Sequence, residues 1–442
     1  MKDWLNQSAA DLGRGIAAGQ IDPVELTEAF FEAIEVHHLK DRTYVRLTRD
    51  RAMAEAKAAH ARAQIGLRRS PLDGVPISWK DLFDTAGIAT EAGSNLLKNR
   101  VPDSDAEVLR NATAQGLVCL GKTHMSELAF SGLGYNPSTA TPPCVNDVEA
   151  VPGGSSSGAA ASVAFGMAPA AIGSDTGGSV RVPSAWNDLV GLKTTAGRLS
   201  LHGCVPLSKK FDTVGPLAKT VEDTALLMAA MEGRTPPDLK GTSLMGCRFA
   251  ILKTVVLDDV RGTPMAAFES AVERLKAAGA AIETLDLPEL EEAMSMAGPL
   301  MPGQVYGLWR DVIEANPDAM FAEIRTRFRL GKDYSAPDYN AAWDKLEDVR
   351  RVWGRAVAGL DAVLAPTSAI LPPNLEKLKT DSDYYKTENL LALRNTRLGN
   401  MMGVSALTLP TGVPSCGIMF MAAPFAEERL LRVGTAAEEA LA

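Results

Sequence analysis

The sequence predicts an α/β protein in which one sheet, at least partly parallel, is covered by helices. Three observations lead there. Strand-like and helix-like segments alternate along the whole chain. The 442 residues are 46% apolar, enough for a large core and too much for a disordered chain. No internal repeat and no linker divides the chain. We therefore expect a single domain over 1–442, with a motif-bearing core at about 60–230 and a charged, helix-patterned region at about 235–350.

The elements follow in order. "DPVELTEAFFEAIEVHH" opens a helix: Asp22 can cap it, Pro23 suits its first turn, and Leu26, Phe30, Ala33 and Ile34 form an apolar face. "TYVRLT" reads as a strand and "RDRAMAEAKAAHARAQ" as an Ala-rich helix carrying a surface His60. "GVPISWKD" is a strand running into a loop. "AEVLRNATAQG" is helical, and "LVCLGKTH" is a short buried strand. "GAAASVAFG" is a small-residue helix ending at Gly166, and "MAPAAIGSD" an apolar strand. Further on, "RFAILK", "AIETLDL", "DAVLAPT", "VSALTLP" and "GIMFMAA" read as strands. "PMAAFESAVERLKAAG" and the C-terminal "AEERLLRVGTAAEEALA" read as helices.

A net charge of −9 without a long run of one sign gives no support to binding of nucleic acid or anionic membrane. The five cysteines are widely spaced and form no CxxC pair, which argues against a disulfide framework and a metal site. The N-terminus lacks a hydrophobic signal core, and no apolar run approaches the roughly 20 residues of a membrane span, so the expected location is cytoplasmic.

The stretch "GSDTGGSVRVPSAW" (173–186) places Ser179 after two glycines, in backbone too flexible to exist for packing alone. A nucleophilic serine needs a base. "GSSSG" satisfies G-x-S-x-G around Ser156, but the polar "CVNDVEAVPG" before it is not the strand that motif requires. Only His202 follows it, close behind. Lysine can replace histidine as the base if burial removes its charge. Lys80 fits, because in an extended strand Val75, Ile77 and Trp79 share one face and Lys80 points to the other. A lysine at a strand end paired with Asp81 is the alternative reading of the same spacing.

"GVPISWKD", "PGGSSSG" and "GSDTGGSVRVPSAWNDLVGLKTT" together resemble the amidase signature family. "FDTVGPLAKTVEDTALLM", "DAVLAPTSA" and "ALTLPTG" extend the likeness over most of the chain. The resemblance implies a central twisted mixed β-sheet with α-helices on both faces. It implies hydrolysis of a small-molecule carboxamide through an acyl-serine, with no cofactor and no metal. By position, Ser179 is the nucleophile, Ser155 the bridging serine, entered through a cis peptide bond from Gly154, and Lys80 the base. The backbone N–H groups of Thr176, Gly177, Gly178 and Ser179 form the oxyanion hole. Ala129, Phe130 and Ser155 contact substrate, while Ser156, Asp175 and Arg181 hold the loops. His124 and Met125 are structural. Trp309 and Tyr306 are candidates for specificity.

Two departures from the family pattern stand out: Ser157 replaces a glycine, and Ser126 stands where the glutaminase component of glutamyl-tRNA(Gln) amidotransferase carries an acid. The expected partner is a small amide, without nucleic acid or membrane, and the default assembly is a homodimer. The alternatives are the glutaminase component of a tRNA-dependent amidotransferase and a catalytically inactive binding protein on the same fold.

Overall fold

The structure, a computed structural model, describes residues 4–442. Its strands are β1 (Tyr44–Leu47), β2 (Pro76–Lys80), β3 (Val118–Thr123), β4 (Ala170–Asp175), β5 (Val190–Lys193) and β6 (Thr213–Ala218). They continue with β7 (Arg248–Leu252), β8 (Ala281–Leu285), β9 (Ala362–Pro366), β10 (Ser405–Pro410) and β11 (Gly417–Ala422). All join one 11-stranded sheet in the order β1-β3-β2-β4-β6-β5-β10-β11-β9-β7-β8. β2 runs parallel to β3 and β4, and β7 runs parallel to β8 and β9. The pairs β4/β6, β5/β6, β5/β10, β10/β11 and β9/β11 are antiparallel. The mixed sheet covered by helices is the expected architecture.

Local chemistry accounts for the helix ends. Asp22 caps the helix Pro23–Val36 by accepting from the N–H groups of Val24 (2.7 Å) and Glu25 (3.2 Å). That helix buries Leu26, Phe30 and Ile34 as read from the sequence, and Phe31 besides, while Ala33 is only half-buried. Gly166, at φ 70°, ends the small-residue helix Ser157–Ala164 as expected. His60 lies on the surface beside Asp22.

β5 and β6 escape a strand reading because Gly191, Gly215 and Pro216 interrupt them. Gly215 has a packing reason: a Cβ there would sit 1.9 Å from the Leu192 carbonyl oxygen, so the two backbones meet where no side chain fits. The C-terminal hairpin β10–β11 lies inside the sheet, between β5 and β9. Among the described residues no helix is long and apolar enough to cross a membrane.

β2 and β4 are parallel neighbours, with Ser78 opposite Ala171 and Trp79 opposite Ile172. Their carboxyl ends therefore lie side by side. In α/β sheets that is where ligands bind, because the following loops open there.

Candidate active site

Lys80 is the last residue of β2 and is fully buried (0% exposed). Trp79, on the opposite face, packs edge-on against Phe83. The Lys80 amine donates to Ser155 Oγ at 2.7 Å and to Ser174 Oγ at 2.9 Å. Burial pushes its pKa down to about 7, although the carboxylates of Asp175 and Asp212 pull the other way. The pairing with Asp81 that the alternative reading required does not form; Asp81 lies instead beside Lys122 and Arg46.

Ser155 follows the cis Gly154–Ser155 peptide bond expected at this position. The neighbouring glycine has no room for a side chain, since a Cβ on Gly154 would lie 2.5 Å from the Gly134 nitrogen and 2.6 Å from Ser126 Oγ. Ser157 opens the helix that follows, so the serine that replaces a glycine sits in helical backbone and donates to the His124 carbonyl.

Ser179 lies in the loop between β4 and the short helix Arg181–Trp186. Backbone ties it to the bridging segment: the Ser156 N–H donates to the Ser179 carbonyl at 3.2 Å. Asp175, which ends β4, organises the loop. Its carboxylate accepts from the N–H groups of Gly178 (2.8 Å) and Val180 (3.2 Å), from Arg181 (2.9 and 3.0 Å) and from Asn400 Nδ2 (3.0 Å). Burial alone would raise this carboxyl, but Arg181 and the hydrogen bonds hold it well below the usual carboxylate range. Thr176 Oγ1 donates to the buried Asp212 at 2.6 Å. Asp175 and Arg181 thus have the loop-holding contacts read from the sequence, and Ser156 Oγ reaches the Ser174 carbonyl.

Ser179, Thr176 and Gly177 line a narrow cleft together with Ala129, Phe130, Ser131, Leu207, Ser208, Met301, Val305, Arg327, Leu393 and Arg397. The chain reverses at Leu128 and Ala129, at φ 45° and 60°, and so presents Ala129 and Phe130 to this space. Ser155 and Gly178 do not line it. Ser155 is fully buried, and the Gly178 N–H is already taken by Asp175. The N–H groups of Thr176, Gly177 and Ser179 have no acceptor among the described residues.

Trp309 is buried and donates to the Pro206 carbonyl, while Tyr306 faces Glu314; neither lines the cleft. His124 and Met125 are buried, and their carbonyls accept from Gly158 and Asn136. Sequence reasoning missed Ser174, Arg327 and Arg397. Ser174 stood beside a motif residue. The two arginines, in "EIRTRFRL" and "LALRNTRLGN", carry no local signal, because only the tertiary fold brings them to Ser179.

The two glycines before Ser179 differ. A Cβ on Gly178, at φ 138°, would lie 2.1 Å from Thr396 Oγ1, whereas a Cβ on Gly177 would meet nothing within 4 Å. Gly178→Ala is expected to destabilise the loop and lower the melting temperature. Gly177→Ala is expected to melt like the wild type yet to lose turnover, since its methyl enters the cleft. Melting curves and steady-state rates on the two variants check this.

The sequence pattern of the family described as Amidase matches residues 25–431. The chain is 32% identical to the glutamyl-tRNA(Gln) amidotransferase A-type component of Chloroflexus aggregans, over 98% of this chain and 96% of that one. It is 33% identical to 2-amino-5-chloromuconic acid deaminase of Comamonas testosteroni, with the same coverage of 98% and 96%. Among solved structures, the peptide amidase of Stenotrophomonas maltophilia superposes with a TM-score of 0.83 at 27% identity, over 99% of this chain and 98% of that one. A component of a vestigial complex bearing on the origins of an s-triazine catabolic enzyme superposes with a TM-score of 0.89 at 26% identity, over 98% of both chains. By these matches the chain belongs to the amidase family, and its chemistry is that of hydrolases acting on carbon–nitrogen bonds.

Proposed function

We propose that the protein hydrolyses the C–N bond of a small carboxamide, releasing ammonia or an amine and a carboxylate. The observation that carries this reading is the buried Lys80 amine, about half neutral near pH 7, hydrogen-bonded to Ser155 behind a cleft that Ser179 lines. A neutral amine can accept a proton, and a serine hydroxyl can pass one on. Ser179 Oγ attacks the amide carbonyl as its proton moves to Ser155 and the Ser155 proton moves to Lys80. The carbonyl oxygen becomes the oxyanion, and N–H donors from Thr176, Gly177 and Ser179 stabilise it. Gly178 drops out of the expected donor set because its N–H is committed to Asp175. The C–N bond then breaks, and Ser155 delivers its proton to the departing nitrogen while Lys80 returns one to Ser155. Water attacks the acyl-serine by the same relay, regenerating Ser179 and releasing the carboxylate.

The narrow cleft beside Ser179 suits a small molecule. The relative named for deamination of 2-amino-5-chloromuconic acid, matched over nearly its whole length, works on such a molecule.

The test is ammonia release from a panel of primary, aryl and peptide amides. Ser179→Ala is expected to abolish turnover and labelling by a fluorophosphonate probe. Ser155→Ala is expected to lose about 10²–10³-fold while keeping residual turnover, because the nucleophile and oxyanion donors remain. A folded protein inert to every amide would sink the proposal. The second reading, the glutaminase component of a tRNA-dependent amidotransferase, is favoured by the 32% identity to such a component along the chain. Copurification with a second polypeptide, together with glutamine-dependent amidation of charged tRNA, would establish it.

A further inference from the structure

Several guanidinium groups set into the fold are paired with acids: Arg181 with Asp175, Arg198 with Glu232, Glu427 and Glu428, Arg62 with Asp73, and Arg51 with Asp105. Two without a carboxylate partner meet in the candidate active-site cleft. Arg327, on the helix Ala322–Arg329, and Arg397, on the helix Ser382–Met401, both line it, and among the described residues neither has a carboxylate within ion-pairing distance. Arg397 Nη2 is shielded from solvent and has no hydrogen-bond partner. Arg327 is held in place: its Nη1 donates to the Phe130 carbonyl at 2.9 Å, and its guanidinium lies 4.4 Å from the centre of the Phe130 ring. Ser94 and the Phe321 N–H both donate to Glu127, which fastens the segment leading into the Arg327 helix to the loop carrying Ala129 and Phe130.

Two like charges brought together out of water without an acid are unfavourable unless something anionic joins them. Burial, and for Arg397 also the charge of Arg327, lowers both groups, Arg397 to about 10, so both stay cationic at neutral pH. The remaining walls are apolar or hydroxyl-bearing: Met301, Val305, Leu207, Leu393, Ser131 and Ser208. The counter-ion must therefore come with the ligand. A guanidinium offers paired N–H donors that match a carboxylate.

The geometry points to a substrate that is an acid as well as an amide: a small carboxylate-bearing carboxamide, its carboxylate held by Arg327 and Arg397 while its amide carbon meets Ser179. This rests on the amidase reading for the reaction and on the arginine pair for the class of molecule. The shared small cleft restricts the substrate to short acids, such as a monoamide of a short dicarboxylic acid.

The test separates the two claims. Ammonia release is compared for malonamate and succinamate against neutral butyramide and succinamide. The expected ratio of kcat/KM is on the order of 10- to 100-fold in favour of the acids, the range of a charged hydrogen-bonded contact. In Arg397→Gln and Arg327→Gln that ratio is expected to collapse toward one, mainly through KM for the acids. Arg397→Lys, which keeps the charge but not the paired donors, is expected to retain part of it and serves if a glutamine variant does not fold. In parallel, malonate and succinate are titrated calorimetrically into Ser179→Ala, where saturable binding is expected, lost when Arg397→Gln is added. Neutral amides turned over as well as acids, with arginine variants that leave the ratio unchanged, would overturn the anion site and leave the amidase reading intact. Dicarboxylate binding without turnover of any amide would do the reverse.

Discussion

Lys80→Met is expected to abolish turnover while leaving a protein at least as stable as the wild type. The loss follows from the relay proposed above: without the amine, Ser155 loses its hydrogen-bonded proton acceptor, and removing a general base typically costs about 10²–10⁴-fold. The stability follows from burial. An unfolded lysine titrates near 10.5 and Lys80 near 7, so folding at neutral pH strips about half a proton from this amine at a cost on the order of a few kcal/mol. Methionine fills the space without that cost.

The sign with pH is set by the same shift. Between about 7 and 10.5 the unfolded chain binds more protons at this position, so wild-type stability rises with pH across that window, and Lys80→Met removes its share. Lys193, also pushed down to about 7 by burial, keeps a share of its own, so the slope flattens without vanishing. Activity should show the matching profile: kcat/KM climbing through about pH 7 to a plateau, since only the neutral amine accepts a proton. Urea midpoints at several pH values and a pH–rate profile check both halves.

The second large effect is on the fold. Asp175→Ala leaves the Arg181 guanidinium, itself fully buried, without its carboxylate, and frees the N–H groups of Gly178 and Val180. Removing one partner of a buried pair costs about 3–5 kcal/mol, and here the partner also holds the loop before Ser179. The expected result is a strongly lowered urea midpoint together with lost turnover. Adding Arg181→Met removes the stranded charge, so the double variant should regain part of the stability but none of the activity. Because the folded Asp175 carboxyl is held well below its ordinary value of 3.8, its contribution is present above that pH and lost as the pH falls further. The variant should lack that part of the acid sensitivity.

Much of this site was legible in the sequence for physical reasons. Alternation along "GVPISWK" set Lys80 against Trp79, because a strand has a period of two. Gly177–Gly178–Ser179 announced tight backbone, and of the three distant positions that the resemblance implies for a relay, Lys80 and Ser155 are hydrogen-bonded. What stayed hidden depends on long-range approach. The Gly178 N–H was expected to face substrate, but Asp175, three residues away, captures it. β6 was hidden by Gly215 and Pro216, which earn their place only against β5 and β4. Arg327 and Arg397 look like ordinary helix-surface arginines in their own segments. Trp309, the more conspicuous residue, points into the core instead.

The hairpin β10–β11 has a consequence for how the molecule comes into being. Its strands leave the ribosome after all the others described, yet it fills the middle of the sheet, between β5 and β9. A growing chain that has emitted Lys80, Ser155 and Ser179 still holds two half-sheets with open edges, and Asn400 has not yet reached Asp175. Closure of the sheet is thereby deferred until this hairpin emerges, when its two strands zip the halves together.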